Sequence, residues 1–87
     1  MLLKDIKENE GFTRNDSNHL YLKVKDYPGK SFAMITYGDT VGFFGKNMEV
    51  CSTDVTRSDI LLICHKFRDT LTIIGNDLLG KFDSTTV

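Results

Sequence analysis

The residues best suited to chemistry in this sequence are His19, Cys51, Cys64 and His65. A zinc site ordinarily announces itself by paired ligands two to four residues apart, as in Cys-x-x-Cys. Here Cys64 and His65 are adjacent, so their side chains diverge by about 100° on a helix or 180° on a strand and share one ion poorly. The same divergence argues against a Cys–His nucleophile, which needs the imidazole within hydrogen-bond reach of the thiolate. The carboxylates of Asp54, Asp59, Asp69 and Asp77 are scattered at turn-like positions and read as solvated. Gly45-Lys46 is followed by Asn47, with Thr40 where a phosphate loop requires its first glycine, so the glycines read as turn and bulge residues. The expectation is a protein without catalytic, metal or cofactor residues, that is, not an enzyme.

Size and charge point the same way. Eighty-seven residues make a single small domain, 1–87, with little volume for a ligand cleft. Eleven basic residues against twelve acidic ones give a net charge of −1, so no global field draws the chain to nucleic acid or an anionic membrane. The longest apolar run, Ile60 to Cys64, is far below the roughly 18–20 residues that cross a bilayer. Charges at every second or third residue of the N-terminus exclude a signal-peptide core there. These features lead to the expectation of a cytoplasmic protein without membrane contact, its two cysteines kept as free thiols.

The elements that would position any site follow from periodicity. Leu2, Leu3 and Ile6 stand at helical spacing ahead of Gly11, which predicts a short helix over 2–10. Thr13 to Asn18 is polar and reads as a loop. His19 to Lys25 alternates, placing Leu20, Leu22 and Val24 on a core face and Tyr21, Lys23 and Lys25 on a wet one. Pro28-Gly29 supplies a tight turn into a second strand from Ser31 to Tyr37. Val41 to Gly45 and Met48 to Thr53 read as further strands. Ile60, Ile63, Cys64, Phe67, Leu71 and Ile74 share one helical face, with Ser58 as a cap and Gly75 as a stop. The β-branched stretch Thr70 to Ile74 instead favours extended chain, so the reading is a helix near 58–69 followed by a strand over 70–74. The fold class expected is α+β, a small antiparallel meander of three to five strands with these helices, and the alternative is an all-β small barrel.

Lys30-Ser31-Phe32-Ala33-Met34-Ile35-Thr36-Tyr37 resembles the RNP1 strand of RNA recognition motifs, departing at Ser31, where that family prefers glycine. Gly75 to Lys81 is similar to the segment leading into the family's last strand. The resemblance implies a sheet face that binds single-stranded nucleic acid, with Lys30 on phosphate and Phe32 and Met34 on bases. The family also places a strand and a helix ahead of this hairpin, and residues 1–18 are too few for both.

Surplus aromatics with near-neutral charge favour a different leading expectation. It is a non-catalytic protein-binding module, an inhibitor or adaptor of the kind phages and mobile elements encode. Its contact surface would be drawn from Tyr21, Tyr37, Phe43 and Phe44. Of the adjacent pair Phe43-Phe44, one ring is expected in the core and the other part-covered. Self-association through exposed strand edges is a third expectation, and the C-terminal Thr85-Thr86-Val87 fits the pattern of a carboxylate captured by a PDZ domain.

Overall fold

The computed structural model describes residues 1–83 and the side chains of 1–80, so Thr85-Thr86-Val87 lies outside the described residues. Five antiparallel strands form one open sheet in the order β4-β3-β2-β1-β5: β1 Gly11–Arg14, β2 Leu20–Tyr27, β3 Lys30–Ile35, β4 Val41–Gly45 and β5 Val50–Thr53. Three short helices follow, α1 Arg57–Lys66, α2 Arg68–Ile74 and α3 Leu78–Asp83. The fold is α+β as expected, with β1 to β4 as an antiparallel meander and β5 crossing over to pair with β1; the barrel alternative fails because the sheet does not close and residues 57–83 are largely helical.

The sheet curls. Phe12 on β1 and Phe44 on β4 are three strand spacings apart, about 14 Å on a flat sheet, and they are offset along the strands as well. Their ring centroids are nevertheless only 6.4 Å apart, and Tyr21 stacks on Phe12 at 5.6 Å while meeting Phe44 at 5.5 Å. The concave face thus closes on Leu3, Ile6, Phe12, Tyr21, Ala33, Ile35 and Val50. The convex face carries Leu22, Val24, Phe32 and Met34, covered by Ile60, Ile63, Leu71 and Leu78 from the helices.

Over Tyr21 to Val24, both faces of β2 are consequently buried. Tyr21 and Lys23, expected on a wet face, have 6% and 0% exposure. Alternation records only that two faces differ in polarity; here a distant segment covers the polar one. The N-terminal segment forms a single 3-10 turn, Leu3–Asp5, in place of a helix over 2–10. The turn ends early because its backbone pairs elsewhere: Leu3 N–H donates to Met48 O and Lys4 N–H to Lys46 O, and Ile6 is extended. This strap holds Leu3 and Ile6 against the concave core.

Lys23 answers the strap. Its Nζ donates to the carbonyl of Leu3 at 3.1 Å and to that of Ile6, and lies 2.9 Å from Asp26 Oδ1. On a regular strand, residues three apart face opposite ways. A bulge corrects this, because Lys23 pairs with Ala33 and Lys25 with Phe32, leaving Val24 without a partner across the ladder. The extra residue brings Asp26 onto the concave side with Lys23. The unpaired Val24 carbonyl then accepts Asn76 Nδ2 at 2.8 Å, which fastens the α2–α3 junction to the sheet.

Other differences from expectation have local causes. Thr13 belongs to β1, since Gly11 to Thr13 pair with both β2 and β5 and Arg14 with β5. Thr56, not Ser58, caps α1: its hydroxyl accepts from Asp59 N–H at 3.2 Å, while Asp59 Oδ2 accepts from Thr56 N–H at 3.1 Å. Residues 70–74 are helical because Leu71 and Ile74 reach the core cluster only from a helix, and packing overrides β propensity. Gly75 ends α2 at φ +72, as expected.

Burial raises the Asp26 pKa, but hydrogen bonds from Lys23 and Ser31 and the charges of Lys23 and Lys46 outweigh it, holding the carboxyl below its ordinary value of 3.8. A lowered folded-state value stabilises above the unfolded value, and that contribution disappears as pH falls through the folded one. Asp26 is 36% exposed, so solvent screens the pair. Asp26→Asn should cost about 1 kcal/mol at pH 7, shrinking below about pH 4; urea melts at several pH values read this, and a pH-independent difference would contradict it. A Cβ at Gly11 would lie 2.6 Å from the Thr53 carbonyl oxygen and against the Val55 side chain. Gly11→Ala should therefore cost about 1–3 kcal/mol in the same melts, and an unchanged midpoint would show that β1 and β5 are not so closely apposed.

Candidate functional site

The ladder between β3 and β4 decides what strand β4 shows to the outside. Ile35 N–H donates to Thr40 O at 2.9 Å, so this is a hydrogen-bonded pair, and the register makes Ala33–Gly42 and Ser31–Phe44 hydrogen-bonded too. Val41 and Phe43 fall between them. Their N–H and C=O groups point away from the sheet, at an edge that no other strand occupies among the described residues. The edge holds no charge, proline or bulge over Val41 to Gly45.

The strand is set in place from both ends. Lys66 Nζ donates to Thr36 O at 2.8 Å and Gly38 O at 2.6 Å, which docks the end of α1 on the turn that precedes β4. Beyond Gly45, Met48 N–H closes a turn on Gly45 O at 3.1 Å and the N-terminal strap pairs with residues 46–50.

Phe43 and Phe44 divide between the two faces as expected, though neither ring is fully in the core. Phe44 faces the concave core beside Phe12 and Tyr21 and is half-buried. Phe43 is 58% exposed on the convex side. Its ring is braced by Phe32 at 5.1 Å and Tyr27 at 5.7 Å, and Lys30 Nζ stands 5.2 Å from its centroid. The register puts Lys25 opposite Phe32 and Tyr27 opposite Lys30. Lys25, Tyr27, Lys30 and Phe43 therefore share one face, with Tyr27 packed at the border of the convex core, and Val41 continues the patch along the edge.

Of the residues expected in a protein contact, only Phe43 stands in this patch. Tyr21 is inside the concave core, and Phe44 is turned toward it. Tyr37 is 68% exposed on the turn before β4. Of the residues implied by the RNP1 resemblance, Lys30 is exposed, but Phe32 and Met34 have 9% and 0% exposure beneath the helices. Tyr27 was not singled out as a contact residue by sequence, whereas Lys25 was, with Tyr21 and Lys23, on the wet face of its strand. The short Pro28-Gly29 turn carried the signal for Tyr27, because it fixes Tyr27 opposite Lys30.

The groups with intrinsic reactivity lie apart from this patch. His19 and His65 are exposed, and Cys51 is a free, exposed thiol on β5. Burial, with the nearby Asp77 charge, pushes the Cys64 thiol above its ordinary pKa, which disfavours the thiolate. Among the described residues, no three His, Cys, Asp or Glu side chains gather as a metal site, and no helix is long and apolar enough to cross a membrane. No protein-family model, curated protein or solved structure matches the chain.

The division of the phenylalanines gives a direct expectation. Phe44→Ala should destabilise the fold by about 2 kcal/mol through a void beside Phe12 and Tyr21, while Phe43→Ala should cost under about 1 kcal/mol. Denaturant midpoints compare them, and equal losses would contradict the assigned faces.

Proposed function

We propose that this protein is a non-catalytic protein-binding module whose contact surface is the convex margin of β4. The observation that carries the reading is the Phe43 ring, 58% exposed yet held between Tyr27 and Phe32 beside an open strand edge. A partner strand could use the outward N–H and C=O groups of Val41 and Phe43 for affinity, and the ring for specificity. A braced aromatic loses little conformational entropy on docking, as an interface anchor should. Inhibition or adaptor function, as in small phage-encoded proteins, is the class of role such a surface suits by analogy. The exposed free thiol at Cys51 favours a reducing compartment such as the cytoplasm.

Single-stranded nucleic-acid binding is the second reading, favoured by Lys25 and Lys30 alongside the Tyr27 and Phe43 rings on one face. It draws less support, since the chain has a net charge of −1 and helices cover Phe32 and Met34.

Immobilised wild-type protein should retain a protein, from lysate or from a solution of its own purified chain. A Tyr27→Ala/Phe43→Ala variant that circular dichroism shows folded should not retain it. Equal retention by both would overturn the proposal, and salt-sensitive binding of random single-stranded RNA or DNA in its place would favour the second reading.

A further inference from the structure

Resting on the reading of β4 as a protein-contact edge, we propose that the protein it takes is a second copy of this chain, joined by antiparallel pairing of β4 with β4. The sequence of the strand is complementary to itself in one register. With Phe43 of one copy opposite Phe43 of the other, Val41 faces Gly45 and Gly42 faces Phe44 across the twofold axis. Val41 and Phe44 therefore each sit opposite a glycine, a cross-strand arrangement in which the larger side chain covers the bare backbone. Space exists for this, because a Cβ built at Gly42 or Gly45 meets nothing within 4 Å. The two Phe43 rings come side by side on the convex face, each still braced by its own Tyr27 and Phe32.

Backbone geometry agrees with the register. Phe43 is one of the residues whose N–H and C=O point outward, so the central Phe43 pair exchanges two hydrogen bonds. Gly45 is likewise outward-facing, so its N–H meets the Val41 carbonyl of the other copy. Charge raises no obstacle: Val41 to Gly45 carries none, so no like charges are opposed within the paired segment. Lys46 retains its own Asp26 at 3.7 Å. Five residues of uncharged, regular edge lack the devices by which single-copy proteins block such pairing.

The test is sedimentation velocity of the full chain across a concentration range, from micromolar to about 1 mM, with two edge variants. Val41→Pro removes an outward N–H that the β3 ladder does not use, and Phe43→Lys places two ammonium groups opposite one another. Circular dichroism establishes that each remains folded, and the second variant carries the test if the first does not. The expected result is a wild-type monomer–dimer equilibrium whose dissociation constant rises at least about tenfold in either folded variant. Two results would overturn the inference: a wild-type monomer at every concentration, or a dimer that both folded variants leave unchanged. A monomer that still captures a different protein through Phe43 defeats this inference alone; a monomer that captures nothing defeats the proposed function with it.

Discussion

A lysine ammonium inside the curl of the sheet is the constraint from which the rest follows. Burying a charge is costly unless it is paired and hydrogen-bonded. Lys23 meets that demand with acceptors from three places: the Leu3 and Ile6 carbonyls of the N-terminal strap and the Asp26 carboxylate beyond the bulge. The strap is thereby fixed over the concave face, and the bulge that delivers Asp26 also frees the Val24 carbonyl for Asn76. One irregularity in β2 thus anchors the cover of both faces, strap on one side and helices on the other. That is how a chain of this size gives a single sheet two apolar cores.

Curling has a consequence at the sheet's margins. As β4 bends toward β1, Phe44 turns into the concave core and Phe43 is left on the outer slope. The convex core takes in Leu22, Val24, Phe32 and Met34, with Tyr27 packed at its border, and leaves Lys30 and Phe43 exposed beside it. The exposed surface is what remains once both cores are covered, which is why its residues come from three strands and form no sequence motif.

Much of the convex half was legible in the sequence. The residues Ile60, Ile63, Cys64, Phe67, Leu71 and Ile74, placed on one helical face by spacing alone, all belong to or pack against the convex core. Pro28-Gly29 marked its hairpin because Gly29 needs a positive φ, observed at +79. The concave half was not legible. Lys23 looks like a solvated residue because the carbonyls that satisfy it come from residues 17 and 20 positions away. Tyr21 follows Lys23 inward for the same reason. Strand β1 was hidden by its polar Thr13-Arg14, where Thr13 is held by pairing on both sides and Arg14 by β5. Propensity also misplaced Thr70 to Ile74, where burial of Leu71 outweighed the β-branched neighbours.

Strand β4 is held on one side only among the described residues, with its backbone alternately tied and open. Residue-resolved amide hydrogen exchange, at a protein concentration low enough to keep the chain dilute, measures this directly. Gly42 and Phe44 should be protected by their bonds to β3, while Val41 and Phe43 exchange near the rate of free chain. Comparable protection at all four amides in dilute solution would contradict it, because something within the chain itself would then be covering the edge.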